Sequence, residues 1–370
     1  MFINNKKIHS IVILIFVILL AVAIVLSSFL LIMLHSPNTS KVIISNNTVN
    51  NSYNNKVLTP TASLIQKNNK LYYKYQRYNC FTCGIYEISS IGSQRILWSG
   101  LDNLLYPVAD DFFEYDNQII LKPLYGAVNS LYTINSFFCN KVKYCDLDDI
   151  NGNTVYEVEV YKEKLYCFAG KSVYKYNNGN YEKIVDLPQN ILNIIDEIIF
   201  SHRYYFTDDN LYFILPNKKI YEIYAINLSE NKCTKLCDTE ISSERYISSL
   251  VVEGQYAIVG SDWQDCPSPN GDYKIHRVSL SGETFTELLT DKADTFNCYN
   301  GKLFIYGDIS NGGLNIMNIE NKSANRICTD YNVRGVFILD DKWIYFQDEN
   351  HQLFRTNYDG SVIENIFSAP

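Results

Sequence analysis

The stretch Asp341-Lys342-Trp343-Ile344-Tyr345-Phe346, followed by Gln352-Leu353-Phe354-Arg355-Thr356-Asn357-Tyr358-Asp359-Gly360 and then Ile363 to Phe367, reads as short strands joined by tight turns. Asp-Gly between two alternating runs is a strong hairpin signal, because glycine tolerates the positive φ that a two-residue turn demands. An apolar run from Val333 to Leu339 precedes the Asp340-Asp341 turn, so four strands fit between Val333 and Phe367.

The Asp341 to Tyr345 phrase, a turn residue followed by an aromatic-rich strand, is one of seven. The others are Asn69-Lys70-Leu71-Tyr72-Tyr73, Asn117-Gln118-Ile119-Ile120-Leu121, Glu163-Lys164-Leu165-Tyr166-Cys167, Asp209-Asn210-Leu211-Tyr212-Phe213, Gly254-Gln255-Tyr256-Ala257-Ile258 and Gly301-Lys302-Leu303-Phe304-Ile305. A repeat of about 45 residues holding four short strands is the length of one propeller blade, and the 3.6-residue apolar period of a helical repeat is missing. The spacing predicts an all-β, seven-bladed β-propeller of four-stranded antiparallel blades over 61–370. Gly152, Gly179 and Gly282 fall at comparable turn positions in other repeats. With 30 Tyr and 19 Phe the composition favours pleated sheet. No blade of this kind hides its apolar faces alone, so stability must come from blade packing on blade.

The first residues are a different object. From Ile11 to Leu34 the only polar side chains are Ser27 and Ser28. About 24 residues at 1.5 Å each span about 36 Å, enough for a hydrocarbon core of about 30 Å. The run is too long for a cleavable signal peptide and lacks its small-residue cleavage site. The reading is a cytoplasmic tail over 1–8 and one N-terminal transmembrane helix over 9–35, preceded by Lys6 and Lys7, which the positive-inside rule leaves in the cytoplasm. Residues 36–60, with Asn46, Asn47, Asn50, Asn51, Asn54 and Asn55, are too polar for a core and read as a flexible stalk. The propeller is thus expected outside the cell, tethered to the membrane. Whether the ring closes by borrowing a strand near Val57 to Pro60 is left open.

A formal charge of −8, spread over the chain with no basic stripe, argues against a phosphate-backbone partner, so no nucleic acid is expected. Ten cysteines in an extracellular head invite structural disulfides or plain thiols. Cys80-Phe81-Thr82-Cys83 lacks the second pair that a zinc site needs. Cys233 and Cys237, four apart on one strand, are expected on the same face about 13 Å apart, too far to bond. Cys145, Cys237 and Cys328 recur at one place in three repeats and are read as packing residues. His202, His276 and His351 are far apart in sequence and read as surface or turn residues. No metal-ligand spacing, nucleophile elbow or phosphate-cradling loop is present, so neither a cofactor, a metal nor a catalytic residue is assigned. Asp110-Asp111, Asp148-Asp149, Asp208-Asp209 and Asp340-Asp341 are read as turn caps.

The connections between second and third strands emerge on one face of a propeller, and loops on a rigid scaffold commonly carry binding. Three are long or aromatic. They supply Arg77, Tyr78 and Phe81 in the first repeat, Tyr125 in the second, and Asp262, Trp263 and Asp265 in the fifth. Rings beside Arg and Asp suit a protein or sugar contact.

The seventh repeat, together with Lys70-Leu71-Tyr72-Tyr73 and Gly84-Ile85-Tyr86-Glu87-Ile88, resembles the repeats of the DUF5050 family of bacterial surface proteins. That family is similar to the propeller of low-density-lipoprotein-receptor-related proteins, whose Tyr-Trp-Thr-Asp signature is absent here. The resemblance covers about 61–370 and implies architecture and a surface location, without catalytic residues. The expectation is a membrane-anchored, extracellular, non-catalytic module binding a protein or cell-wall glycan. The alternatives are a glycan-active enzyme with its site at the channel mouth and an envelope-assembly or sensory scaffold.

Overall fold

The computed structural model describes residues 64–75, 84–90, 92–99, 111–122, 130–135, 140–147, 150, 153–161, 164–177, 179–187, 204–207, 209–263, 273–282, 285–291, 295–307 and 312–368. They form seven sheets, each of four consecutive antiparallel strands. The blades run 64–99, 111–146, 155–186, 204–242, 245–290, 295–327 and 335–367. The recurring phrase is the second strand of each blade, as in Lys70–Tyr75, Lys302–Tyr306 and Ile344–Gln347. First strands of successive blades approach one another around the axis. The first strand of blade seven, Gly335–Ile338, is buried throughout, whereas the fourth strand of blade three, Asn180–Asp186, buries only Ile184 and Val185.

The two-residue side-chain period divides each strand between two neighbours. In blade six Leu303 and Ile305 join the core shared with blade five, while Phe304 and Tyr306 join the core shared with blade seven. The result is seven apolar seams. The seam between blades seven and one closes the ring. Blade one and blade seven each use four strands of their own, and no strand from the N-terminal segment joins either among the described residues. Closure rests on side chains: Phe367 lies 5.1 Å from the Tyr73 ring, 5.5 Å from Tyr75 and 4.8 Å from Tyr86. A polar tie crosses beside them, where Gln347 Nε2 donates to the Tyr73 hydroxyl at 2.6 Å and that hydroxyl donates to the His351 carbonyl at 3.1 Å.

The turn residues of the repeated phrase have a backbone reason. Asn68 and Asn69, with φ of 48° and 59°, and Asp116 and Asn117, with 48° and 55°, take the left-handed conformations that a two-residue hairpin requires. Gly179, Gly282 and Gly360 are likewise at positive φ, whereas Gly152 lies outside the described residues. The Asp340 carboxylate caps its turn, accepting from the Lys342 and Trp343 amides at 2.8 Å each.

Six of the seven fourth strands carry a bulge at one position, at Leu97, Tyr144, Ile184, Leu236, Leu289 and Ile366. A bulge sets two adjacent residues on one partner and shifts the face of the residues beyond it. Ile184 and Val185, and Ile366 and Phe367, therefore enter the same seam as neighbours. The bulge also overturns the expectation for Cys233 and Cys237. Cys233 packs at the seam of blades three and four and Cys237 at the seam of blades four and five, on opposite faces of the sheet. It further allows an ion pair three residues apart, which a regular strand would point to opposite sides. Lys143 and Asp146 meet at 2.7 Å, Lys183 and Asp186 at 2.8 Å, and Lys235 and Asp238 at 2.6 Å.

Cys145, Cys237 and Cys328 are indeed packing residues, and all six described cysteines are free thiols. Burial pushes Cys237 and Cys328 up to about 11. Cys80, Cys83, Cys139 and Cys266 lie outside the described residues, as do the expected transmembrane helix over 9–35 and stalk over 36–60. Among the described residues no helix is long and apolar enough to cross a membrane.

Removing the Phe367 ring leaves a void among three tyrosines. Phe367→Ala is expected to cost about 3–5 kcal/mol, against less than about 0.5 kcal/mol for Phe285→Ala on the exposed rim; paired denaturant unfolding curves measure both.

Candidate binding site

Of the residues singled out in the long connections, Arg77, Tyr78, Phe81, Tyr125 and Asp265 lie outside the described residues. Asp262 and Trp263 end the second strand of blade five, Tyr256–Trp263, opposite Tyr246 and Arg245 of the first strand, Arg245–Glu253. The loop-side end of blade five can therefore be built strand by strand.

Its first strand bulges between Ile247, paired with Ser261, and Ser249, paired with Gly260. Ser248 is the extra residue, on the innermost strand of a sheet whose other bulge sits on the rim. The bulge directs two adjacent serines toward one partner: the Tyr273 hydroxyl lies 2.9 Å from Ser248 Oγ and 3.3 Å from Ser249 Oγ. Gly260 makes room for this group. A Cβ there would stand 2.1 Å from the Tyr273 hydroxyl and 2.4 Å from Ser249 Oγ.

Alternation sorts the rest onto two faces. Tyr246 and Asp262 are register partners and share the face of Ser249, Gly260 and Tyr273, toward blade six. Tyr246 is 37% exposed, and Asp262 and Ser248 are half-buried. The other face looks toward blade four, with Ile247 in that seam. There Arg245, only 6% exposed, donates from Nε to Ser261 Oγ at 3.0 Å and from Nη2 to the Ser261 carbonyl at 3.1 Å. Its own carbonyl accepts from the Tyr221 hydroxyl of blade four at 2.6 Å. Lys274 pairs in register with Ser261, and His276 with Val259, on the same face. Burial, with Arg245 and Lys274 beside it, holds the His276 imidazole down to about 4, so it is neutral at physiological pH.

The sequence expectation for His276 is thereby corrected: it is a partly buried strand residue, placed by Lys274–Ser279 pairing on both sides. His351 does sit in a turn, at φ 59°, and His202 is outside the described residues. Tyr246, Ser248 and Tyr273 carry the site and were not anticipated. The trace of them in the sequence is the run Arg245-Tyr246-Ile247-Ser248-Ser249-Leu250, whose alternation slips at the two serines.

Chemically the face toward blade six offers an aromatic ring, a carboxylate and shared hydroxyls, and the face toward blade four offers fixed positive charge. Among the described residues no three His, Cys, Asp or Glu side chains come together to hold a metal ion.

No family model matches this chain, and no curated protein matches it. The kinship to DUF5050 repeats therefore remains a resemblance. Solved structures share its fold. A puromycin-hydrolysing peptidase of Mycobacterium tuberculosis is similar with a TM-score of 0.53 at 9% identity, over 90% of this chain and 57% of that one. Dipeptidyl peptidase 4 of Porphyromonas gingivalis gives 0.48 at 8% identity, over 88% and 56%. The chain thus spans little more than half the length of either peptidase. At such identities the likeness is one of propeller fold alone.

Gly260→Ala is expected to destabilise by about 1–3 kcal/mol, and adding Tyr273→Phe, which removes the clashing hydroxyl, recovers part of the loss in thermal unfolding. The lowered His276 value means that the unfolded chain binds the extra proton first. Its contribution is complete above about pH 6.5 and is lost as pH falls toward the folded value of about 4. His276→Gln is expected to lose less stability than the parent between these limits, by on the order of 2 kcal/mol, read from unfolding curves at stepped pH.

Proposed function

We propose that this chain is a membrane-anchored extracellular propeller acting as a non-catalytic binding module for a protein or a cell-wall glycan. The observation that carries the reading is the loop-side end of blade five. A partly exposed tyrosine and a carboxylate stand there on paired strands rather than on a loop. Side chains fixed by a sheet lose little entropy on binding, and aromatic rings supply much contact area for few rotatable bonds. The opposite face of the ring is made of tight turns stitched blade to blade. Glu253 accepts from the Gly301 amide at 2.9 Å, Tyr299 donates to Asp341 at 2.9 Å, and Lys67 pairs with Glu114 at 3.0 Å. Variation is thus concentrated on one face, where the second-to-third connections are short in blades three and four and longer in blades one, two, five and six. The apolar segment 11–34 supports membrane attachment, and the lysines before it support an outward-facing head.

The test is affinity capture with the full chain in mild detergent, against the surface proteins and purified cell-wall glycans of its own cell. One partner should be retained, and Trp263→Ala should weaken retention by more than about 1 kcal/mol. Retention of no partner sinks the reading, and turnover of a captured glycan replaces it with the enzyme reading.

A further inference from the structure

The N-terminal segment and the ring meet at one defined point. Leu64 opens the first strand of blade one, Leu64–Lys67, which turns at Asn68 and Asn69 and pairs back with Lys70–Tyr75. That strand runs from the face of the second-to-third connections to the face of tight turns, so the chain enters the ring on the connection face, on the innermost strand beside the axis. The entry is fixed. Leu64 is fully buried in the closing seam with Leu71, Tyr73 and Phe367, and it pairs in register with Tyr73. At the other end Ile363–Phe367 follows the Asp359-Gly360 turn and runs back to the same connection face, at the rim.

We propose that the connection face is the membrane-proximal face of the head and that it docks on a protein of the same membrane. The inference rests on the membrane-anchored binding-module reading and names the side and the kind of partner for it. Distance decides the side. Between Leu34, where the apolar segment ends, and Leu64 lie about 29 residues, which by composition read as a polar random chain with a mean reach of about 30 Å. Turning the tight-turn face to the bilayer would take that chain across a blade of four strands, about 15 Å at about 4.8 Å per step, and down a strand of six residues, about 20 Å. A detour of about 35 Å uses up the mean reach before the chain meets the bilayer. With the connection face toward the bilayer no detour is needed. Charge decides the partner. Lys218, Lys219 and Arg334 are exposed on this face together with Glu244, Asp330 and Glu349. An anionic lipid surface is met by cations alone, and a neutral glycan has no charge for either sign to meet, whereas interspersed charges of both signs set register against a protein surface. A protein held in the same membrane also lies within the span of the tether, where the effective concentration of the head is highest.

The test has two arms, both on the full chain. In vesicles of phosphatidylcholine whose headgroups carry an energy acceptor, a donor dye is placed at Lys218, Arg334, Asn231 or Asp359, one position at a time. The two faces are about 20 Å apart, so transfer from Lys218 and Arg334 should exceed that from Asn231 and Asp359 about twofold or more. Equal transfer from both faces, or more from the tight-turn face, overturns the proposal. In membranes of its own cell with the wall digested away, a photo-crosslinking residue at Lys218 or Arg334 should form adducts with integral membrane proteins, with none above background at Asn231 or Asp359. Adducts from the tight-turn face only, or with soluble proteins only, overturn the proposal. Transfer from Lys218 that rises with added phosphatidylglycerol and falls again on Lys219→Glu, without protein adducts, replaces the protein partner with the lipid surface. No adduct from either face while affinity capture retains a wall glycan overturns this proposal alone, and no adduct together with no captured partner overturns the binding-module reading as well.

Discussion

Every blade of this ring is a sheet with two apolar faces, and the constraint that organises the molecule is that neither face can be left to water. The period of two sends alternate residues of one strand into different seams, as Leu165 and Cys167 pack toward blade two while Tyr166 and Phe168 pack toward blade four. A blade is therefore stable only between two others, and the ring must close. At the closing seam the Gln347 to Tyr73 bond contributes about 1 kcal/mol net. Each fully buried aromatic or aliphatic side chain contributes about 1.5–3 kcal/mol. Phe367 and the three tyrosines around it thus dominate closure, and the hydrogen bonds fix which way the rings face.

The rim bulge is the second device. Strict alternation would send Ile184 and Val185 to opposite faces of the sheet, whereas both pack in the seam of blades three and four. One extra residue in the fourth strand lets both members pack inward and brings the flanking lysine and aspartate to the same side. Blade six reaches a related end without a register shift. Ile327 and Cys328 both enter the seam there, and Cys328 adopts a φ of 54°.

The architecture was legible because its signals are local: the turn residue at positive φ, the alternating strand and the repeat length. Blade number and the packing role of Cys145, Cys237 and Cys328 come from those alone. What alternation cannot show is a place where it is interrupted. The sequence Lys232 to Ser242 carries no glycine or proline to announce that Leu236 is an inserted residue, and so alternation alone puts Cys233 and Cys237 on one face when they occupy two. The same blindness hid the site. Ser248 and Ser249 look like polar interruptions of a strand, and their meaning depends on Tyr273, which lies two strands away and outside any local window.

Blade five shows why an inner-strand bulge differs in consequence from a rim bulge. On the rim the extra residue adds an apolar side chain to a seam. On the first strand of blade five the extra residue is a serine, and the space it needs is created by Gly260, the one residue without a Cβ to meet the Tyr273 hydroxyl. The seam there exchanges apolar packing for a cluster of hydroxyls, which lowers the cohesion of that end of the blade relative to an aliphatic contact. Compensation comes from the opposite face, where the buried Arg245 ties to Ser261 within the blade and its carbonyl to Tyr221 of blade four. The polar end of the strand pair is thus held in place by hydrogen bonds on its blade-four side, while the shared hydroxyls of Ser248, Ser249 and Tyr273 fill the side toward blade six.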